Sequence, residues 1–154
     1  MTRKALWAER IMIALPQGHP LLAKDRLHWV DLRKHRFIIS EQDPGPDLAS
    51  VLLARLSEPS SSPELTMFDI SRENVLTMVS AANYATLTTD AAMGSTAPGV
   101  VLRNIQRADR QHGPARVCRL YWRSDNENPA LARLLDVVSR RYPGDSVASS
   151  PSTS

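Results

Sequence analysis

The chain has 154 residues, 42% of them apolar and 23% charged, an ordinary composition for a soluble globular protein and long enough for one domain, or for one lobe and part of another. Its 19 Lys and Arg against 16 Asp and Glu give a formal net charge of +3, spread along the chain with no run of five basic residues, so charge makes no case for nucleic acid. No stretch reaches the roughly 18 apolar residues of a membrane span, and Glu9 and Arg10 interrupt the N-terminal apolar run that a signal peptide would keep intact. Cys118 is the only cysteine, which excludes an internal disulfide and a thiolate metal cluster and fits a reducing, cytoplasmic setting.

In chain order, Ile11 to Leu15 is a continuous apolar run without alternation, the pattern of a strand covered on both faces as in a parallel sheet; Pro16 ends it, and Gly18-His19-Pro20 forces a turn in which the His19 ring can bond locally. Trp29 to Leu32 reads as a short helical turn and Phe37 to Ser40 as a second strand. Leu48, Val51, Leu52 and Leu56 fall at helical spacing, predicting an amphipathic helix over 46–57 with Pro46 in its first turn. After a Pro- and Ser-rich connection, a strand runs from Leu65 to about Ile70. Ser71 caps a helix carrying Val75, Met78, Val79 and Ala82, and Asn83 ends it in a left-handed conformation. Tyr84 to Leu87 and Val100 to Leu102 are further strands, with a helical turn after Asp90 between them, and 104–114 is polar and loop-like. Arg103, Arg107 and Arg110 read as solvated surface or a local basic face. Val117 to Arg123 alternates, with Cys118, Leu120 and Trp122 on one face, as a half-buried strand does. A last helix over 129–142 carries Leu131, Leu134, Leu135 and Val138, and the small, polar 143–154 tail is expected to be disordered.

Alternating strands and helices predict an α/β domain with a mainly parallel sheet, in which ligands sit outside the carboxyl ends of the strands. That rule selects Ser40 through Gly45 and Leu87 through Asp90, and within them Ser40, Glu41, Gln42, Asp43, Gly45, Thr88 and Thr89 as candidate ligand-binding residues. The N-terminus of the 46–57 helix offers backbone donors to a carboxylate, with Ser40 and Gln42 adding a hydroxyl and an amide. Capping of the loop by Ser40 and Asp43 explains the same residues equally well, and the acids beside them work against an anionic ligand.

No catalytic constellation stands out. There is no G-x-S-x-G, no P-loop and no G-x-G-x-x-G, and His19, His28, His35 and His112 lack the spacing of metal ligands. Cys118 sits among apolar neighbours as a small hydrophobe would. No enzyme activity, cofactor or metal is expected.

The segments resemble a family. "ERIMIALPQGHPLLAK", with its Gly18-His19-Pro20-Leu21 stretch, "HWVDLRKHRFIIS", "ENVLTMVSAANYATLTTDAA" and "LYWRSDNENPALARLLDVV" are similar, in this order, to the effector-binding domain of LysR-type transcriptional regulators, over roughly residues 5 to 142. Two positions depart from the family pattern: Ala82-Asn83-Tyr84 stands where glycines are usual, and Thr88-Thr89 where a proline usually follows the strand.

The resemblance implies a type II periplasmic-binding-protein-like lobe with a mainly parallel sheet and a first lobe largely missing. It implies the second subdomain over about 16–102 and the return strand and helix of the first over about 115–142, followed by the 143–154 tail. It implies an effector-sensing and dimerising part of a regulator, without the helix-turn-helix and without direct nucleic-acid contact. The expected partners are a small-molecule effector and either a second copy or a full-length regulator in a mixed dimer, with no membrane. The alternative is a free-standing small-molecule-binding protein of the same lineage. The apolar stripe of the last helix is expected to need a docking partner.

Overall fold

The structure, a computed structural model, describes residues 1–59, 61–94, 97–106, 115–144 and 146–148. The chain divides into two compact units, one of residues 10–114 and one of residues 1–9 with 115–154. The first strand, β1 (Thr2–Pro16), runs through both.

In the 10–114 unit, β2 (Leu27–His28), β6 (Val100–Gln106), β1 and β5 (Thr86–Thr89) lie side by side in that order. Beside them β3 (Arg36–Ser40) and β4 (Glu64–Phe68) pair in parallel, and a parallel bridge joins Phe37 to Ala85 just before β5. The β2–β6 pair is also parallel, whereas β1 runs antiparallel to both β5 and β6. The sheet arrangement is therefore mixed. Residues 11–15 are buried on both faces as their pattern predicts, between 0% and 4% exposed. A continuous apolar run reports this two-sided burial and carries no information about the direction of the neighbouring strands.

Two helices cover opposite faces of β3. Phe37 and Ile39 share a cluster with Leu48, Leu52 and Leu56 of α1 (Gly45–Leu56) and with Leu21, Trp29 and Leu32. Ile38, on the alternate face, packs with Val75 and Val79 of α2 (Arg72–Ala82) and with Met78, Tyr84 and Val100 around them. The period of two in the strand and the three-to-four spacing in the helices thus meet in one three-layer arrangement. The Ser71 hydroxyl accepts the Asn74 N–H at 3.3 Å at the start of α2, and Asn83, at φ 56°, ends it in the left-handed region that Asn tolerates.

β6 continues to Gln106 through residues whose polar composition predicts a loop: Ile105 is 2% exposed and pairs with Leu27, and Asn104 pairs with Met12. A single apolar residue between exposed Asn104 and Gln106 is too short a signal to mark a strand without its partners. The Arg103 guanidinium donates to the carbonyls of Leu22 (3.3 Å), Lys24 (2.7 Å) and Asp25 (3.1 Å), tying down the loop before β2. Arg107 and Arg110 lie outside the described residues.

The second unit contains β7 (Ala115–Trp122), α3 (Pro129–Arg141) and β8 (Ser146–Ala148); β7 and β8 both pair with β1. Within β7, Cys118, Leu120 and Trp122 are half-buried while Val117, Arg119 and Tyr121 are exposed, the alternation predicted. Where composition predicts a disordered tail, residues 146–148 pair antiparallel with Thr2–Lys4, because a strand edge can satisfy the backbone of any sequence. Asn128 caps α3 by accepting the Ala130 N–H at 2.9 Å. None of the α3 residues is buried: Leu131, Leu135 and Val138 are half-buried, and Leu134 and Val137 are 49% and 57% exposed. Trp7 lies 5.5 Å from the Tyr142 ring, and the buried Lys4 ammonium donates to the Gly144 carbonyl.

Candidate functional site

The parallel bridge between Phe37 and Ala85 sets Ser40, three residues on, level with Thr88, so the carboxyl ends of β3 and β5 meet at one edge. A pocket lies there. Its wall is apolar for the most part, from Ile39, Pro44, Leu48, Val75, Leu76 and Leu87, with Ser40, Gln42, Gly45, Arg72, Thr86, Thr88 and Thr89 completing it. The pocket is open to solvent.

Five of the seven candidate residues, Ser40, Gln42, Gly45, Thr88 and Thr89, line this pocket; Glu41 and Asp43 are exposed and do not. Proximity does not make all five available. The Ser40 hydroxyl donates to the Ile70 carbonyl at 2.5 Å and accepts the Gln42 N–H at 3.0 Å, so both its functions serve the loop, as the capping alternative holds. The Gln42 side-chain amide donates to Asp69 at 3.1 Å, and the Glu41 N–H to the Phe68 carbonyl at 2.8 Å, latching 40–42 onto 68–70. Gly45 lines the pocket through its backbone: a Cβ there would stand 1.8 Å from the Ser40 carbonyl oxygen.

The N-terminus of α1 is poor in donors. The Gly45 N–H already bonds to the Gln42 carbonyl (2.7 Å), the Leu48 N–H to that of Pro44 (3.1 Å), and Pro46 has none. The cradle for a carboxylate that the helix start suggests is thus largely occupied by the chain itself. At the start of α2, Glu73 takes its own backbone N–H and the Ser71 hydroxyl, which together hold its carboxyl below the usual range.

Two groups remain for a ligand. Thr88 is 1% exposed, and its hydroxyl has no hydrogen-bond partner among the described residues. Arg72, the first residue of α2, is the only charged residue among the described residues that line the pocket. Its guanidinium makes no hydrogen bond among the described residues and lies 3.7 Å from Glu73. The sequence reading passes over Arg72, although the signal for it was present: β4 is parallel to β3, so the rule that selects the loop after β3 also selects the loop after β4, residues 69–72.

Away from the pocket, the His19 ring closes the turn as predicted, its Nδ1 accepting the Leu21 N–H at 3.1 Å. It is buried and lies 4.9 Å from the His35 ring. Burial lowers the pKa of both, and the charge of His35 lowers that of His19 further. Lys24, at 2.6 Å, and the His28 N–H, at 2.9 Å, hold the Asp31 carboxyl below its usual range. Cys118 is half-buried; desolvation, then its contact with Glu9 at 3.4 Å, push its thiol up, the reverse of what a nucleophile needs.

Residues 1–143 match the family model of the LysR substrate binding domain, and the chain belongs to that family. Its fold is accordingly the type II periplasmic-binding-protein-like α/β fold that the resemblance implies. Among solved structures, full-length OxyR C199D from Pseudomonas aeruginosa matches at a TM-score of 0.72 and 19% identity, over 90% of this chain and 46% of that one. Full-length CbnR in complex with target DNA matches at 0.71 and 14%, over 90% and 47%. The BenM effector binding domain with its effector benzoate matches at 0.65 and 18%, over 90% and 61%. The chain thus spans about half the length of these full-length regulators and under two thirds of that effector-binding domain. No curated protein sequence gives a significant match. Among the described residues, no helix is long and apolar enough to cross a membrane.

Proposed function

We propose that this chain is the effector-sensing part of a LysR-type regulator, acting in the cytoplasm as a binding module without catalysis, and that its effector sits in the pocket at the ends of β3 and β5. The observation that carries this reading is the convergence of five predicted ligand positions on one mostly apolar pocket, beside a buried hydroxyl that lacks a partner among the described residues. Buried polar groups are almost always hydrogen-bonded, so a ligand atom reaching the Thr88 wall would supply what that hydroxyl is missing. BenM, which shares the fold, carries benzoate as its effector. In this reading the 10–114 unit is the second subdomain and the 1–9 and 115–142 segments belong to the first. The face of α3 that exposes Leu134 and Val137 docks on a second chain, a copy of this one or a full-length regulator, and the chain makes no direct contact with nucleic acid.

The test is a titration of the isotopically labelled protein with small organic molecules, followed by amide NMR. The reading expects saturable shifts clustered in 39–45 and 86–89. Saturable binding that leaves those amides untouched and moves others would place the effector elsewhere. Tight duplex binding with a steep salt slope would overturn the absence of a DNA reader.

A further inference from the structure

We infer that the pocket selects a small apolar monocarboxylate, with Arg72 as the residue that reads its charge; this rests on the pocket being the effector site. The wall is predominantly aliphatic, which suits an apolar body. Among the described lining residues the one charged side chain is Arg72, whose guanidinium makes no hydrogen bond there and has only the exposed Glu73 carboxylate, at 3.7 Å, as an ion-pair partner among the described residues. A planar fork of donors at the rim of an apolar pocket matches a carboxylate bidentately. The acids that argue against an anion from sequence do not line the pocket: Glu41, Asp43 and Asp47 are exposed and none is among its lining residues.

Among the described residues that line the pocket Arg72 is the one cation, so a first carboxylate meets Arg72 and a second, at the far end of the same molecule, meets no lining cation. The selection is therefore for one negative charge over none, and for one over two.

The experiment titrates the whole chain with three probes built on one benzene ring, the near-isosteric benzoate and benzamide and the longer dianion terephthalate, read by amide shifts at low ionic strength. Benzoate is expected to bind about tenfold more tightly than benzamide, the size of a charge-assisted hydrogen bond, and more tightly than terephthalate. Arg72→Ala should bring benzoate down to the level of benzamide, and Arg72→Lys should restore part of the difference. Arg72 is exposed on the first turn of its helix, so both variants should keep the fold, checked by the amide spectrum. Equal binding of benzoate and benzamide, a preference that survives Arg72→Ala, or terephthalate binding as tightly as benzoate would each overturn the inference. If all three probes shift 39–45 and 86–89 alike, the role of Arg72 falls and the pocket stands as the site. If none shifts them, both fall.

Discussion

Gly45 owes its identity to one backbone atom, the Ser40 carbonyl oxygen, which a Cβ would approach to 1.8 Å. The start of α1 would have to move, and with it the pocket wall. Gly45→Ala should lower stability by about 2–3 kcal/mol, seen as a lower urea midpoint. A midpoint within error of the parent would mean that α1 gives way freely. His19 makes a second prediction at this scale. Its folded pKa lies below the usual value of about 6.5, through burial and then the charge of His35, and that of His35 is lowered by burial. Between the folded values and about 6.5 the unfolded chain binds more protons, so stability rises with pH there. It is fully present above pH ~6.5 and is lost as pH falls through the folded values. The urea midpoint should therefore fall between pH 7 and pH 5. His19→Asn, which can still accept the Leu21 N–H but does not titrate, should flatten that dependence; an unchanged slope would exclude His19 as its source.

At the level of elements, β3 is the centre of the 10–114 unit because α1 and α2 each take one of its faces. Leu52 of α1, fully buried in the core, should cost about 2–5 kcal/mol on replacement by Ala, as core Leu positions do, measured by chemical unfolding. α3 should behave in the opposite way. Leu134 is 49% exposed, so Leu134→Glu should change the stability of a monomer by no more than about 0.5 kcal/mol. If α3 docks on a second chain, the same change should dissolve the association in sedimentation velocity. A monomer both before and after would remove this face as the interface. All three helices are legible in the sequence to within a residue or two, because their stripes repeat every three to four residues and the caps of α2, Ser71 and Asn83, have local signatures. The end of β6 and the whole of β8 are not, because the first depends on pairing with β2 and Met12 and the second on pairing with Thr2–Lys4, all distant in sequence.

Across the whole molecule, every buried apolar residue among those described lies within residues 10–114, while the other unit buries Lys4 and leaves Trp7, Tyr121, Leu134 and Val137 exposed. Local stability follows the density of buried apolar contact. Native-state hydrogen exchange should therefore be slow at 11–15, 37–40, 48–56 and 75–82, and fast in β7 and α3. Equal protection in the two units would show that the 1–9 and 115–148 segments are held by burial the exposures do not reveal.

Sequence alone determined the alternation of strands and helices, the two-sided burial of residues 11–15, the caps of α2, the half-buried face of β7 and the family, since each is written in residues close along the chain. It also selected five of the residues that line the pocket, because strand ends in α/β folds collect at one edge. Only the tertiary structure decided that β1 runs antiparallel to its neighbours, that Ser40 and Gln42 spend their polar groups on the 68–70 segment, and that Arg72 stands on the pocket wall while Glu41 and Asp43 stand off it. These are relations between segments some 30 or more residues apart, or the choice a side chain makes between solvent and pocket. Periodicity and composition record which residues are buried, and hold no record of what each one meets.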